Sequence, residues 1–523
     1  MSRVSHIWSG MAVRAETQCK NGQMEVTIRE TQHDGWTGYA LELQGNGSVS
    51  KLLFSVEDEG WRQVDGIFLT CPNYEDVKMA HRSQTVNLGI ADTHPDYRFG
   101  RQWFFTPPPL VFPVHVGGAW YGVALGAQPG KNQFSSVSYR PDGEGRYRLE
   151  VFYDGYYSDE GPLCSVFYST EPQETPYAVI AAYAELLRRL GWAPAPSRTP
   201  ADWWKEPFLC TWGDQVNLAN VSASKPNKEK HSHHVTTYET QGNQERWLRT
   251  LLDRGIPVGV VCTSDKWQAD RYRLLPDEGR YPDMRAFTDW HHREGRHVMA
   301  WWGVWNCEGA PEEWCIRDGS GKPVSVDPDH PEYRRMLIED IKRVISPDGY
   351  NFDGFFIDFT NLSPMGAGLT KTGRNWGIEL LHDYMKLIYD TVKSVKPDAM
   401  VMTHCNHPYF ADVTDVLRLN DFVSKVPNVV EQGMYRAGIA RAVSDWLVNM
   451  DNWWMHDIDD WRRYLVFAAQ HGIPSSWFTQ GVWGHGPGIG RFDPFTEEDY
   501  RIWREVWTEY RERAGLVPMA AES

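Results

Sequence analysis

The chain of 523 residues has no run of eighteen apolar residues, so no segment is long and greasy enough to span a bilayer as a helix. Its opening stretch, MSRVSHIWSGMAVRAE, lacks the contiguous apolar core of a signal peptide, which makes a cytoplasmic location the default expectation. Cysteine is sparse: 8 residues lie scattered from Cys19 to Cys405, and none forms a CxxC pair. A disulfide framework is not expected from so few in so long a chain. Positive charge is also short. Lysine and arginine number 53 against 69 acidic residues, a net charge of -16, which argues against a nucleic-acid partner. Tryptophan is the residue in surplus, with 25 copies. Part of that surplus belongs in a core, but flat indole faces also suit a site that stacks sugar rings.

The remaining composition, 41% apolar and 23% charged, is that of a folded globular protein. Residues 1–175 read as β: short, roughly alternating stretches such as QMEVTIRE, YALELQG, WYGVALGAQ and GRYRLEVFYDGY are separated by Gly, Asp, Asn and Pro. That is the pattern of an antiparallel β-sandwich. Residues 176–204 form a linker, with one amphipathic helix, PYAVIAAYAELLRRLGW, stopped at Gly191 and followed by a Pro-rich connector. From 205 to 482 apolar strands alternate with helices. Eight strand candidates occur: PFLCTW, IPVGVVCTSD, RHVMAWWGVW, FDGFFIDF, AMVMTHC, DVLRLND, DNWWMHD and GIPSSWFTQG, with helices between all but the fifth and sixth. Eight such units predict a (β/α)8 TIM barrel. Residues 483–523 add a loop and one more amphipathic helix packed on the barrel.

In such a barrel, polar residues at the C-terminal ends of strands face the active-site mouth. Here these are Trp212 and Asp214 after strand one; Ser264, Asp265 and Trp267 after two; and Trp301, Trp302, Trp305 and Asn306 on or after three. Asp358 ends strand four, and His404, Cys405, Asn406 and His407 follow five. Asp421 follows six, His456 and Asp457 follow seven, and Trp477 and Gln480 lie on eight. Any one of these aspartates has an ordinary alternative role as a helix cap. Four carboxylates at strand ends, Asp265, Asp358, Asp421 and Asp457, set among tryptophans, point instead to a carbohydrate pocket with paired acids.

Other motifs favour plainer readings. KEKHSHHVTTYE, with His231, His233 and His234, reads as a solvated loop rather than a metal site, and HCNH (404–407) lacks the further ligands of a zinc centre. The histidines of HCNH are better placed to bond substrate or orient Asp358. RFGRQWFFTPPPLVFP (98–113) is either sandwich packing or a loop over the barrel mouth. GHGPGIGRFDP (484–494) has no Lys and is not a phosphate loop. Neither metal nor cofactor is expected.

Over roughly residues 200–480 the chain resembles the retaining α-glycosidases of family 36 (the α-galactosidase and raffinose-synthase type) and the related family 31 α-glucosidases. SDKW (264–267), YPDMRAFTDWHHREGRHVMAWWGVW (281–305), DGFFIDF (353–359), VLRLND (416–421) and HDIDDWRRYLVFAAQHGIP (456–474) carry the likeness. Phe356 stands where family 36 has a Lys two residues before its nucleophile, and DGFFIDFTN is nearer the family 31 form. The resemblance implies a retaining, exo-acting α-galactosidase-like hydrolase, with an α-glucosidase or transglycosylase as the alternative. A decayed barrel that binds carbohydrate without turnover is a second alternative. It assigns Asp358 as nucleophile and Asp421 as acid/base, about 5–5.5 Å apart, with Asp415 or Asp457 next in line. Asp265 and Asp457 would bind sugar hydroxyls. Trp212, Trp267, Trp301, Trp302, Trp305 and Trp477 would wall the pocket. His404, Asn406, Arg436 and His456 would complete the contacts to an oligosaccharide or glycoside substrate. The resemblance also leaves a homo-oligomer open.

Overall fold

The computed structural model describes residues 11–19, 24–45, 47–72, 77–89, 104–157, 161–195, 199–222, 235–364, 368–422, 429–453, 455, 457–483 and 492–517. His231, His233, His234 and His456, and residues 98–103 and 484–491 of the two loops above, lie outside them.

The N-terminal region forms two antiparallel sheets, of five and seven strands. Local chemistry sets the hairpins. Glu25–His33 pairs with Trp36–Gln44 across a two-residue Asp34–Gly35 turn, where Gly35 takes a φ of +73° that a side chain would resist. Aromatics bind the sheets to each other: Tyr147 of the five-stranded sheet donates its hydroxyl to Tyr168 of the seven-stranded one at 2.8 Å. The linker helix Pro176–Arg189 is capped by the Thr175 hydroxyl, and Gly191 just beyond it has a φ of +70°.

Eight parallel strands then form a barrel in the order 7-6-5-4-3-2-1-8. They are Phe208–Cys210, Val260–Cys262, His297–Gly303, Gly354–Asp358, Met400–Thr403, Val416–Arg418, Leu447–Asn449 and Ser475–Ser476. A parallel bridge from Asn449 to Ile473 joins strand seven to strand eight and closes the ring. Helices form where the sequence supplies caps. In PDMRAFTDWHHREG the Asp283 carboxylate accepts from the Ala286 amide, the last turn carries His291, His292 and Arg293, and Gly295 (φ +70°) ends the helix Met284–Arg293. No helix is long and apolar enough to cross a membrane among the described residues.

Strand seven departs from the expected position. DNWWMHD follows the strand rather than forming it: the preceding helix Val429–Val443 stops early, and Leu447–Asn449 pairs with Val416–Arg418. Three apolar-flanked residues at the tail of a helical pattern give too short a periodic signal to separate strand from helix.

The sandwich is bonded to the barrel. The Asn132 amide donates to Glu379 Oε2 (3.0 Å), the Trp376 amide to Gln133 Oε1 (2.6 Å), and the Tyr435 hydroxyl to the Leu69 carbonyl (2.5 Å). The C-terminal helix Glu497–Arg513 packs on the barrel, with Arg511 donating to both oxygens of Glu206 at 2.8 and 2.7 Å.

Asp353, at the start of strand four, is buried rather than solvated. It accepts from the Val298 amide (2.8 Å), lies 2.7 Å from His292 Nε2, and pairs with Lys396 (3.2 Å). Burial alone would raise its pKa. The His292 hydrogen bond, the His297 ring 3.6 Å away and the Lys396 charge outweigh that and hold it well below the usual carboxylate range. Its contribution is therefore fully present above the unfolded-state pKa, near 4, and is lost as pH falls towards the lower folded value. Asp353→Asn is expected to cost about 3 kcal/mol in urea unfolding at pH 7. The gap to wild type should shrink below about pH 4; a gap unchanged by acid would rule out this origin.

Candidate active site

One pocket opens at the C-terminal ends of the barrel strands, lined by Trp212, Ser264, Asp265, Trp301, Asp358, Phe359, Arg418, Asp421, Trp453 and Trp477. Strand four delivers Asp358 as its last residue, in register with Gly303 of strand three. Asp358 Oδ2 accepts from Trp301 Nε1 at 3.1 Å, and Oδ1 accepts from the Phe359 amide at 2.9 Å. Asp421 follows strand six and is buried.

Both carboxylates meet the same cation. Arg418, the last residue of strand six, donates Nη1 to Asp358 (3.0 Å), Nη2 to Asp421 (2.9 Å) and Nε to Asp451 (2.5 Å). Asp451, two residues beyond strand seven, is fully buried and accepts the Trp453 amide at 2.7 Å. Neighbouring nitrogens of one guanidinium thus join Asp358 and Asp421. Burial pushes the Asp421 carboxyl well up. The Arg418 charge opposes this, and the negative charges of Asp451 and Asp358 add to it. Asp421 is thereby disposed to hold a proton to higher pH than a free carboxyl does.

Arg418 also accounts for Phe356. Its guanidinium lies 4.5 Å from the centre of the Phe356 ring and 5.2 Å from that of Trp477.

The other candidates divide. Trp212, Trp301, Trp477 and Asp265 reach the pocket with the two acids. Asp265 is clamped by Arg271, which donates Nε and Nη2 to its two oxygens at 2.9 Å each. Trp302 faces outward against Tyr384, because successive residues of strand three point to opposite sides. Trp305 also packs on Tyr384, and Trp267 is fully buried against Phe352 with its indole N–H donated to the Trp301 carbonyl (2.7 Å). These three are wall supports rather than sugar platforms. Arg436 does not bridge the acids: it is fully buried and donates to the carbonyls of Leu419 (3.2 Å), Asn420 (3.1 Å) and Asp421 (2.5 Å). Asp457 is exposed and caps the helix Ile458–His471, accepting from the Asp459 and Asp460 amides. Asp415 sits at the opposite end of strand six, held by Lys393 at 2.6 Å and the Val401 amide at 2.9 Å.

His407 bonds the Tyr183 hydroxyl (3.1 Å) and accepts from the Tyr409 amide (3.2 Å), so it braces the linker helix. His404 and Asn406 are fully buried, and the Asn406 carboxamide has no hydrogen-bond partner among the described residues. Asp214 is buried without lining the pocket, accepts from the Thr479 amide (3.0 Å), and is pushed up to about 7 by burial. Glu379, His382 and Asp383 bring possible metal-ligand atoms within 4.8 Å of one another. They lie at the sandwich contact, and Glu379 is already bonded by the Tyr409 hydroxyl (2.8 Å) and the Asn132 amide (3.0 Å).

Sequence reasoning missed Arg418, Asp451, Trp453 and Phe359. Arg418 had a usable signal: an arginine inside the apolar run VLRL must be buried, and a buried guanidinium needs counter-charges. Asp451 and Trp453 were hidden by the misplaced strand seven.

No family profile and no curated protein matches the sequence. Solved structures do match in fold. The cycloalternan-degrading enzyme from Trueperella pyogenes in complex with cycloalternan has a TM-score of 0.61 at 12% identity, covering 96% of this chain and 70% of its own. The same enzyme in complex with a covalent intermediate has a TM-score of 0.59 at 12% identity, over 94% and 70%. A GH31-family sulfoquinovosidase from E. rectale has a TM-score of 0.59 at 10% identity, over 96% and 79%. The chain thus shares its fold, an antiparallel β domain followed by a TIM barrel, with glycoside-cleaving enzymes on the family 31 side of the resemblance.

Proposed function

We propose that this protein is a retaining, exo-acting α-glycosidase of the family 31 kind that removes a terminal α-linked sugar by double displacement. The observation that carries this reading is the pair Asp358 and Asp421, joined through the one Arg418 guanidinium at the mouth of the barrel. Asp358 would attack the anomeric carbon while Asp421 gives its proton to the departing oxygen. Asp421 would then take a proton from the water that releases the sugar. An α-glucosidase-type substrate is favoured over an α-galactoside. Phe356 replaces the family 36 Lys, and the matched structures include a GH31 enzyme and one that degrades cycloalternan.

A panel of aryl α- and β-glycosides, with product anomer followed by NMR, tests this. Release of one α-linked sugar with retained configuration is expected. An inverted product, or tight sugar binding with no turnover, would overturn it; products longer than the substrate would mark transglycosylation.

The pH dependence carries a separate prediction. Because burial and its carboxylate neighbours raise Asp421, kcat/KM should fall as pH rises through its pKa and the acid loses its proton. Asp421→Asn should abolish that alkaline limb. It should slow poor leaving groups by about 10²–10⁴-fold and spare activated ones. A limb that survives in D421N would assign it to another group.

A further inference from the structure

Both proposed catalytic carboxylates are aimed by turns that side chains resist. Phe359, immediately after Asp358, has a φ of +59°, and Asn420, immediately before Asp421, has a φ of +65°. Such backbone persists only where its surroundings over-determine it. One side chain reaches both turns. His404, beyond the end of strand five, accepts the Thr360 amide at Nε2 (3.2 Å) and meets the Asn420 carboxamide at Nδ1 (2.6 Å). A backbone amide can only donate, so Nε2 is the acceptor and the ring proton sits on Nδ1. The Asn420 Oδ1 accepts the Asp421 amide at 3.0 Å, so the carboxamide that meets His404 is bonded directly to the residue it precedes. We propose that His404 is a positioning residue that fixes the distance between Asp358 and Asp421 by tying the turn after one to the turn before the other.

Three further observations support this. His404 is fully buried with both ring nitrogens engaged, so it has no edge left for a sugar. Burial pushes the imidazole down to about 3, so it stays neutral and a second proton does not displace the Thr360 amide. The sandwich braces the same corner. The Thr106 amide donates to the His404 carbonyl (3.2 Å), and the Thr106 and Thr360 hydroxyls lie 2.5 Å apart.

The inference rests on the glycosidase reading, so the wild-type chain is first assayed on an aryl α-glycoside that it hydrolyses; no turnover across the panel defeats that reading itself, and this inference with it. Given turnover, His404→Ala in the full chain is expected to lower kcat about 100-fold with KM changed less than about threefold, since both steps need the carboxylates in register. The alkaline limb should move to lower pH, because a more distant Asp358 raises Asp421 less. His404→Gln, which keeps an amide oxygen for Thr360, should recover part of kcat and of the limb. If H404A does not fold, Asn420→Gly, which keeps the left-handed turn and removes the carboxamide that links His404 to the Asp421 amide, gives the same two readouts. Unchanged kcat and limb in a folded variant, or a loss confined to KM, would overturn the inference.

Discussion

Asp358→Ala is expected to lower turnover of any glycoside that the protein hydrolyses by about four orders of magnitude or more, the scale of losing a covalent nucleophile. The geometry explains why no neighbour compensates. Asp358 is already oriented by Trp301 Nε1, the Phe359 amide and Arg418, all donating to it. Three donors on one carboxylate fix its attacking direction. Asp421 is bonded to Arg418 on strand six and raised by burial, and Asp451 is sealed behind Arg418, so neither is placed to take over. Stability should change far less than activity, because Arg418 keeps two carboxylate partners when the third is removed. Azide, small enough for the space left by the side chain, should restore cleavage of an activated aryl glycoside and yield the glycosyl azide of inverted configuration. Full hydrolysis by D358A would remove Asp358 from the mechanism.

The residues that could be found from the sequence share a property: each stands at an unambiguous strand end. YNFDGFFIDFT announces strand four by its apolar run, and its closing Asp358 is in the pocket. Strands two and six give Asp265 and Asp421 for the same reason. What could not be read depended on facts that no local pattern contains. Trp301 and Trp302 are chemically identical neighbours, and only the register of strand three sends one to the pocket and the other under a helix. Asp451 and Asp457 lie six positions apart, both beyond a strand of three residues, and placing the strand late exchanged a buried ion-pair partner for an exposed helix cap. The 25 tryptophans were a weak guide, since Trp36, Trp61, Trp247, Trp461, Trp503 and Trp507 are core.

The second large effect is expected at Arg418, where a fold role and a site role coincide. A methionine there matches the length of the stem but leaves Asp358, Asp421 and Asp451 facing one another with no cation. Removing one partner from a buried ionic cluster costs about 3–5 kcal/mol, because the remaining charges stay desolvated and unpaired. Protonation is the chain's way out. Each carboxylate that gains a proton relieves the repulsion, so the stability deficit of Arg418→Met should narrow as pH is lowered from neutral towards 5, and widen as pH rises. The same protons disable the chemistry, since a protonated Asp358 is no nucleophile; R418M should be nearly inactive even where it is folded. Asp451 separates the two roles. It touches Arg418 but does not line the pocket, so Asp451→Asn placed on R418M removes one repelling charge without altering the reacting pair. The double variant should unfold at higher urea concentration than R418M alone, a coupling measurable by a double-mutant cycle, while turnover stays lost. Additive stabilities would mean that Arg418 does not hold the three carboxylates as one unit.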